Sequence, residues 1–427
     1  MRTKVVATIG PATRDRDQLL ALIGAGVDVV RLNFAHGTHD DHREVMKWVR
    51  EIASQLCKHV AVLADLAGPK IRIGELAEPW QLVEDTTVVI APEAETREGE
   101  LPTTFPRLAH DVKPGDRLLL DDGMLELRCD EVDSPRLRCT VVRGGTLTSH
   151  KGINLPGIKV SSPALTEKDV ADLDVALEMG VDYVGLSFVQ RPEDIDDLRA
   201  RLPDGVLIVA KIEKDVALGN LEAILTTQML ESMITSPRPT RAEASDVANA
   251  LFDGTDAVML SGETAVGRNP VLAVEAMVRI AAEIERSQAY GEGPHYDVPV
   301  KMQLRAGATR TEHAIAAATV EAVRLSGAPA IATLTTSGFT TRLVSSYRPP
   351  VPVLGVSDDE RTLRQLALVW GVHPVPCTEV AYETMRDCAR EYLLSHDMGR
   401  PGDRLAVTCG VPFHVRGTTN MLRVEEL

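Results

Sequence analysis

The chain has 427 residues, 44% of them hydrophobic and 25% charged, which is enough for two or three domains with cores of their own. Its formal net charge of −16, from 46 basic against 62 acidic residues, argues against nucleic acid or an anionic membrane as a partner, so an anionic ligand must be met by local cations or a metal. Six scattered cysteines with no CxxC pair read as reduced core thiols, not a disulfide frame or a zinc site. No signal segment and no membrane-length apolar run is read, so a cytoplasmic location is expected.

In chain order, Val5–Ile9 reads as a first strand, closed by Gly10-Pro11, and Leu19–Ile23 belongs to the helix after it. Val27–Leu32 is a second strand that delivers Arg31 and Asn33, two residues apart and therefore on one face. A helix with Val45, Trp48 and Val49 precedes a third strand, Val60–Ala64, which runs into Asp65-Leu66-Ala67-Gly68-Pro69-Lys70. Strands alternating with helices imply βα units and a parallel sheet, and charged groups at strand C-terminal ends suit the site face of a TIM barrel.

From about Gly74 to Val160 the rhythm changes to short β segments: Thr87–Ile90, Arg117–Leu120, Leu125–Cys129 and Arg136–Val142. Asp122-Gly123 between two apolar runs is a hairpin signal, and the region reads as a small all-β insert. The βα pattern returns with the helix Lys168–Met179, the strand Tyr183–Phe188, the helix Pro192–Leu202 and the strand Val206–Ala210, which ends in Lys211-Ile212-Glu213. A cation beside a carboxylate on one strand face suits a phosphate with a divalent ion, and equally a surface ion pair.

Thr227 to Pro270 follows as loop, helix, strand and loop. Thr240 and Glu243 are spaced as a capping box, Ala257–Leu260 is a buried strand, and Ser261-Gly262-Glu263-Thr264 has the composition of a helix N-cap. Strands are counted near residues 5, 28, 60, 183, 206, 223 and 257, one short of a closed eight-stranded barrel. Between Glu213 and Thr227 a parallel crossover of a dozen or more residues does not fit beside a strand, so about one βα unit is missing there. After the polar linker Tyr290–Val300, the helix Thr311–Leu325 and the strands Ala330–Leu334, Pro352–Gly355, Val372–Pro376 and Leu405–Cys409 predict a separate three-layer α/β domain. Its turn with Thr335, Ser337 and Thr340 serves equally as an N-cap or as a phosphate cradle.

Eight segments in register, TKVVATIGPAT, VVRLNFAHG, ADLAGPKIRIG, KGINLPG, AKIE, TQMLESM, PTRAEASDVANALFDGTDAVMLSGETA and GTTNMLRV, resemble pyruvate kinase across nearly the whole chain. The resemblance implies a discontinuous TIM-barrel domain over 1–73 and 161–290, a β-barrel lid over 74–160, and a C-terminal α/β domain over 291–427. It implies phosphoryl transfer from phosphoenolpyruvate to ADP, giving pyruvate and ATP, with Mg²⁺ or Mn²⁺ and in a homotetramer. Arg31 would bind the transferring phosphoryl group and Lys211 would stabilise its charge. Glu213 would be a metal ligand, and Thr227 would stand at the pyruvate methyl with Ser261 and Glu263 behind it. Arg72, His36 and Lys151 would contact nucleotide, and Thr335, Ser337 and Thr340 a phosphorylated effector. Two other readings are a catalytically inactive paralogue that binds phosphorylated metabolites, and a metal-dependent TIM-barrel lyase acting on pyruvate-like acids.

The chain departs from the family pattern twice. At the monovalent-cation position Asn33 and Asp65 remain, but Ala35, Leu66 and Lys70 replace the family's Ser, Thr and Glu, which resembles the K⁺-independent branch. Second, the family's strand with a GDLG-type motif, bearing another Mg²⁺ carboxylate, has no counterpart between about Leu225 and Thr227. Very low turnover is expected of the chain as written.

Overall fold

The computed structural model describes residues 1–69, 71–158, 161, 165–189, 191–211, 229–287, 290, 310–413 and 418–427. Lys70, Glu213, Thr227, the strand expected near 223 and most of the 290–300 linker lie outside the described residues.

Six short strands make one curled sheet, five of them largely buried on both faces as parallel strands between helices are, and the edge strand Leu207–Ala210 half-buried. Across it the order is Leu207–Ala210, Tyr183–Leu186, Ala61–Asp65, Val29–Asn33, Lys4–Ile9 and Ala257–Leu260, every described pairing parallel. Leu19, Val49, Leu173 and Met277 pack helices onto the outer face, while Val6, Val29, Leu63, Tyr183 and Met259 fill the inner one. Helix starts follow the local chemistry. Thr38 with Asp41, Thr166 with Asp169, and Thr240 with Glu243 each form a reciprocal capping box. Burial opposes ionisation of Glu243, but hydrogen bonds from the hydroxyls and amides of Ser232 and Thr240 win and hold its carboxyl at about 2.

In the 74–160 region a six-stranded sheet runs Ile153–Asn154, Arg117–Leu120, Leu125–Asp133, Arg136–Arg143, Thr87–Pro92 and Leu101–Thr103, beside a two-stranded ribbon of Trp80–Leu82 and Gly145–Leu147. Its core is separate from that of the barrel and includes Ile73, Leu118, Leu127, Val141 and Leu147. The turn at Asp121–Gly123 matches the hairpin signal, with Gly123 at a φ of +85°. The C-terminal sheet is ordered Val372–Pro376, Val353–Ser357, Ile331–Leu334, Arg404–Cys409 and Met421–Glu426, the last strand antiparallel. Separate apolar clusters lie on its two faces, giving three layers.

The C-terminal region seats against the N-terminal ends of the barrel strands. Asp182, with 0% exposure just before its strand, accepts from Arg50 at 2.8 Å, from Arg364 at 2.9 Å and from the Val62 amide at 2.9 Å. Gln365 donates to the carbonyls of Asp182 and Gly205, and the Tyr183 hydroxyl returns a bond to the Gln365 carbonyl. Lys4 donates to the Val372 carbonyl, and the guanidinium of Arg348 lies over the Trp370 ring.

Candidate active site

At the opposite, C-terminal ends of the strands the register aligns Thr8 with Arg31 and Asn33 with Asp65, and Asp65 with Gly185. Arg31, 9% exposed, donates through Nε and Nη2 to Asp65 Oδ2 and through Nη1 to the Thr8 hydroxyl at 2.8 Å. Lys211 follows the strand Leu207–Ala210. Its ammonium reaches Asp65 Oδ2 at 3.3 Å and the Ser187 hydroxyl at 2.9 Å, and Ser187 in turn donates to the Leu66 carbonyl at 2.6 Å. Two cations therefore flank one buried carboxylate, leaving a net positive charge suited to a phosphate held away from bulk water.

Asp65 is only 2% exposed, and its second oxygen, Oδ1, has no hydrogen-bond partner among the described residues. A carboxylate oxygen buried in that way is costly unless a cation meets it. Gly185 leaves the space open, since a Cβ there would lie 3.0 Å from Oδ1. The acceptor and the gap fit a small cation or an ammonium beside Asp65. Asn33 instead turns its side chain to accept from the Ala35 amide at 3.1 Å.

The Ser261–Thr264 turn joins this cluster from the neighbouring strand. Thr264 donates to the Thr8 carbonyl at 2.8 Å, so one residue links the turn to the Arg31 guanidinium. Glu263 is 1% exposed and accepts from the amides of Leu230 at 3.1 Å and Ser261 at 2.7 Å. The N-cap expected of Ser261 needs correction: its hydroxyl makes no cap bond, because the Ser261 backbone is not in the extended conformation a cap needs, while its amide donates to the Glu263 carboxylate. What the turn does is anchor Leu230, three residues after Thr227 in the sequence.

Other sequence candidates sit apart from this cluster. Lys151 belongs to the insert and Arg72 stands just before it, where Arg72 bridges to Gly152 and donates to the His150 carbonyl, and Lys151 pairs with Asp121 at 2.7 Å. His36 is exposed on the loop after Asn33, and its carbonyl bonds the His42 ring. In the C-terminal region Thr335 accepts from the Gly338 amide, Thr340 bonds Thr419, and the Ser337 carbonyl accepts from Arg342, so one threonine hydroxyl is engaged within the turn and the other with a distant segment. Thr8 and Ser187 were not singled out in the sequence, although Ser187 follows its strand as Asp65 ends its own. Among the described residues no group of three or more His, Cys, Asp or Glu could hold a metal, so these side chains alone do not make a divalent site.

Residues 1–226 and 222–274 match the family profile described as "Pyruvate kinase, barrel domain", and residues 313–425 match "Pyruvate kinase, alpha/beta domain". The chain belongs to the pyruvate kinase family. It is 39% identical over 480 residues to pyruvate kinase 2 of Synechocystis sp., covering 99% of this chain and 79% of that one. It is 38% identical to a pyruvate kinase of Agrobacterium vitis over 472 residues, 100% of this chain and 97% of the relative. To the Corynebacterium glutamicum enzyme it is also 38% identical, over 481 residues and 98% of that relative. Membership makes the protein a phosphotransferase of glycolysis, in a family that works with Mg²⁺ or Mn²⁺ and with phosphoenolpyruvate and ADP.

Proposed function

We propose that this pyruvate kinase holds the transferring phosphoryl group between Arg31 and Lys211, with Asp65 fixing both cations and Ser187 and Thr8 orienting them. The observation that carries this reading is the pair of cations on a single buried carboxylate, gathered from the ends of three strands of one sheet. Phosphoryl transfer depends mainly on positioning and on stabilising charge, and two pre-oriented cations supply both. Glu213 is proposed as a ligand of the divalent ion, which supplies further positive charge to the phosphate oxygens. Thr227 is proposed at the enolate carbon, with Glu263 and Ser261 fixing the segment next to it. Arg72, His36 and Lys151 are proposed to meet the nucleotide from the loop and the insert, which reads as a lid over 74–160. The turn at Thr335, Ser337 and Thr340, at the start of the helix Phe339–Ser346, is proposed to take an effector phosphate. The assembly is proposed to be a cytoplasmic homotetramer.

The test is Lys211→Met in a chain given back a relative's missing segment. A loss of about 10²–10³ in kcat with KM for phosphoenolpyruvate nearly unchanged is expected of a group acting on transition-state charge. An unchanged kcat would overturn the assignment.

The chain is further proposed to need no K⁺. The unpartnered Asp65 oxygen and the space beside Gly185 support a cation there, and Lys70 is the residue of this chain proposed to provide it. In the same restored chain, exchanging Na⁺ for K⁺ at constant ionic strength is expected to leave turnover unchanged, and a large rise with K⁺ would contradict the proposal.

About one βα unit is proposed to be absent between about Leu225 and Thr227. Three observations support this. An eight-stranded barrel needs two more strands between the edges Leu207–Ala210 and Ala257–Leu260, yet residues 229–256 contain a short 3₁₀ turn and a helix, and only residues 212–228 are left. Two strands and a crossover do not fit in that length. The barrel profile meets the chain in two pieces that overlap at 222–226. The alignment with the Agrobacterium vitis relative spans 472 positions against 427 residues here, so about 45 have no counterpart in this chain.

A further inference from the structure

We infer that Cys129 and Cys139 form a redox modification site in the β insert, a dithiol placed to close into a cross-strand disulfide when a small-molecule disulfide is present. The two residues are direct register partners on the antiparallel strands Leu125–Asp133 and Arg136–Arg143. The hydrogen bonds of Cys129 face the other way: its amide donates to the Asp116 carbonyl at 2.8 Å, and its carbonyl accepts from the Gly115 amide at 2.7 Å. The pair is therefore of the non-hydrogen-bonded kind, which brings opposite Cα atoms to about 4.5 Å and their side chains onto one face. That separation falls inside the disulfide range of about 4.4–6.8 Å, so closure asks for no large backbone movement. A register shift between Cys129 and Glu131 adds local twist beside the pair.

Both thiols have 0% exposure in the core of the insert, among Leu127, Leu137 and Val141. Burial pushes both up from the usual thiol range, and each thiol also perturbs the other, which places the side chains near one another. The apolar neighbours packed around the pair make the reaction slow, since the thiolate is the attacking form and the oxidant must enter through local opening of the hairpin. In the reaction one thiolate attacks the small disulfide, forms a mixed disulfide and releases one small thiol. The second thiolate then attacks the protein-bound sulfur of that mixed disulfide and releases the other. The two protons leave on the two small thiols, the protein loses two hydrogens, and the oxidant gains them. Cys57, exposed, has no such partner, so it stops at the mixed disulfide.

The experiment incubates the full chain with oxidised glutathione at mildly alkaline pH, with and without urea below the unfolding transition. Acid quenching, alkylation and peptide mass mapping follow. Expected is a Cys129–Cys139 crosslink lighter by two hydrogens, formed after Cys57 has been glutathionylated and faster in urea. Amide exchange across the hairpin is expected to slow at least about tenfold in the crosslinked protein. In Cys139→Ser the crosslink disappears and Cys129 holds glutathione or stays reduced. Because the mapping is made on the unaltered chain, the inference does not depend on that variant folding. It is overturned if both cysteines remain alkylatable in urea after Cys57 has reacted fully, if glutathione on either fails to resolve, or if Cys129 pairs with a different cysteine.

Discussion

Inserting the corresponding stretch of a relative, about 45 residues, between Leu225 and Thr227 is expected to raise kcat by at least about 10²-fold. The physical reason has two parts. The described sheet keeps the proposed phosphate-binding cluster, because Arg31, Asp65, Ser187 and Lys211 arise from strands that are all present. The divalent ion is expected to lean on Glu213 and on a second carboxylate in the strand proposed to be absent, and one carboxylate places substrate and metal less firmly than two. The same stretch would supply the wall between Leu207–Ala210 and Ala257–Leu260, and so keep water from the reacting groups. Steady-state rates of the two proteins, each shown by urea denaturation to be folded, make the comparison. Equal rates in two folded proteins would mean that the segment contributes nothing to catalysis.

The second large effect concerns stability. Asp182→Ala is expected to cost about 3 kcal/mol, read as a shift of the urea midpoint with an unchanged slope for the barrel transition. Asp182 is fully buried and neutralises Arg50 and Arg364, while also satisfying the Val62 amide. Removing it leaves two guanidinium groups and an amide without their acceptor. Burial already lowers Arg50 from its usual value, against which the attraction of Asp182 works, so the loss of that carboxylate is felt directly. Asp182→Asn, which keeps the shape and an acceptor, should cost less. A change under about 0.5 kcal/mol in the alanine variant would show that the barrel and the C-terminal region do not depend on this contact.

Much of the fold was legible because parallel strands buried on both faces read as short apolar runs, and the helices between them begin with marked capping residues such as Thr166 and Thr240. The cation–carboxylate cluster was legible for a related reason: Arg31, Asp65 and Lys211 interrupt or end apolar strands, where a core alone gives no use for charge. Other features had no local signature. Asp182 and Arg364 are 182 positions apart, and only the docked domains make them partners. Trp80–Leu82 and Leu101–Thr103 are too short for an alternating pattern to stand out, and the antiparallel strand Met421–Glu426 is mostly exposed or half-buried. Ser261 looked like a cap because composition favours it there, but its backbone is not extended and its hydroxyl makes no cap bond, which composition alone does not show.

The most direct measurement is a coupled assay with ADP, phosphoenolpyruvate and Mg²⁺ on protein whose mass is verified as 46.3 kDa. The proposed phosphate half-site, without the βα unit proposed to be absent beside it, predicts turnover well below about 1 s⁻¹. Turnover within the ordinary range of about 1–10³ s⁻¹ would contradict it, and would mean that residues 212–228 complete the site unaided.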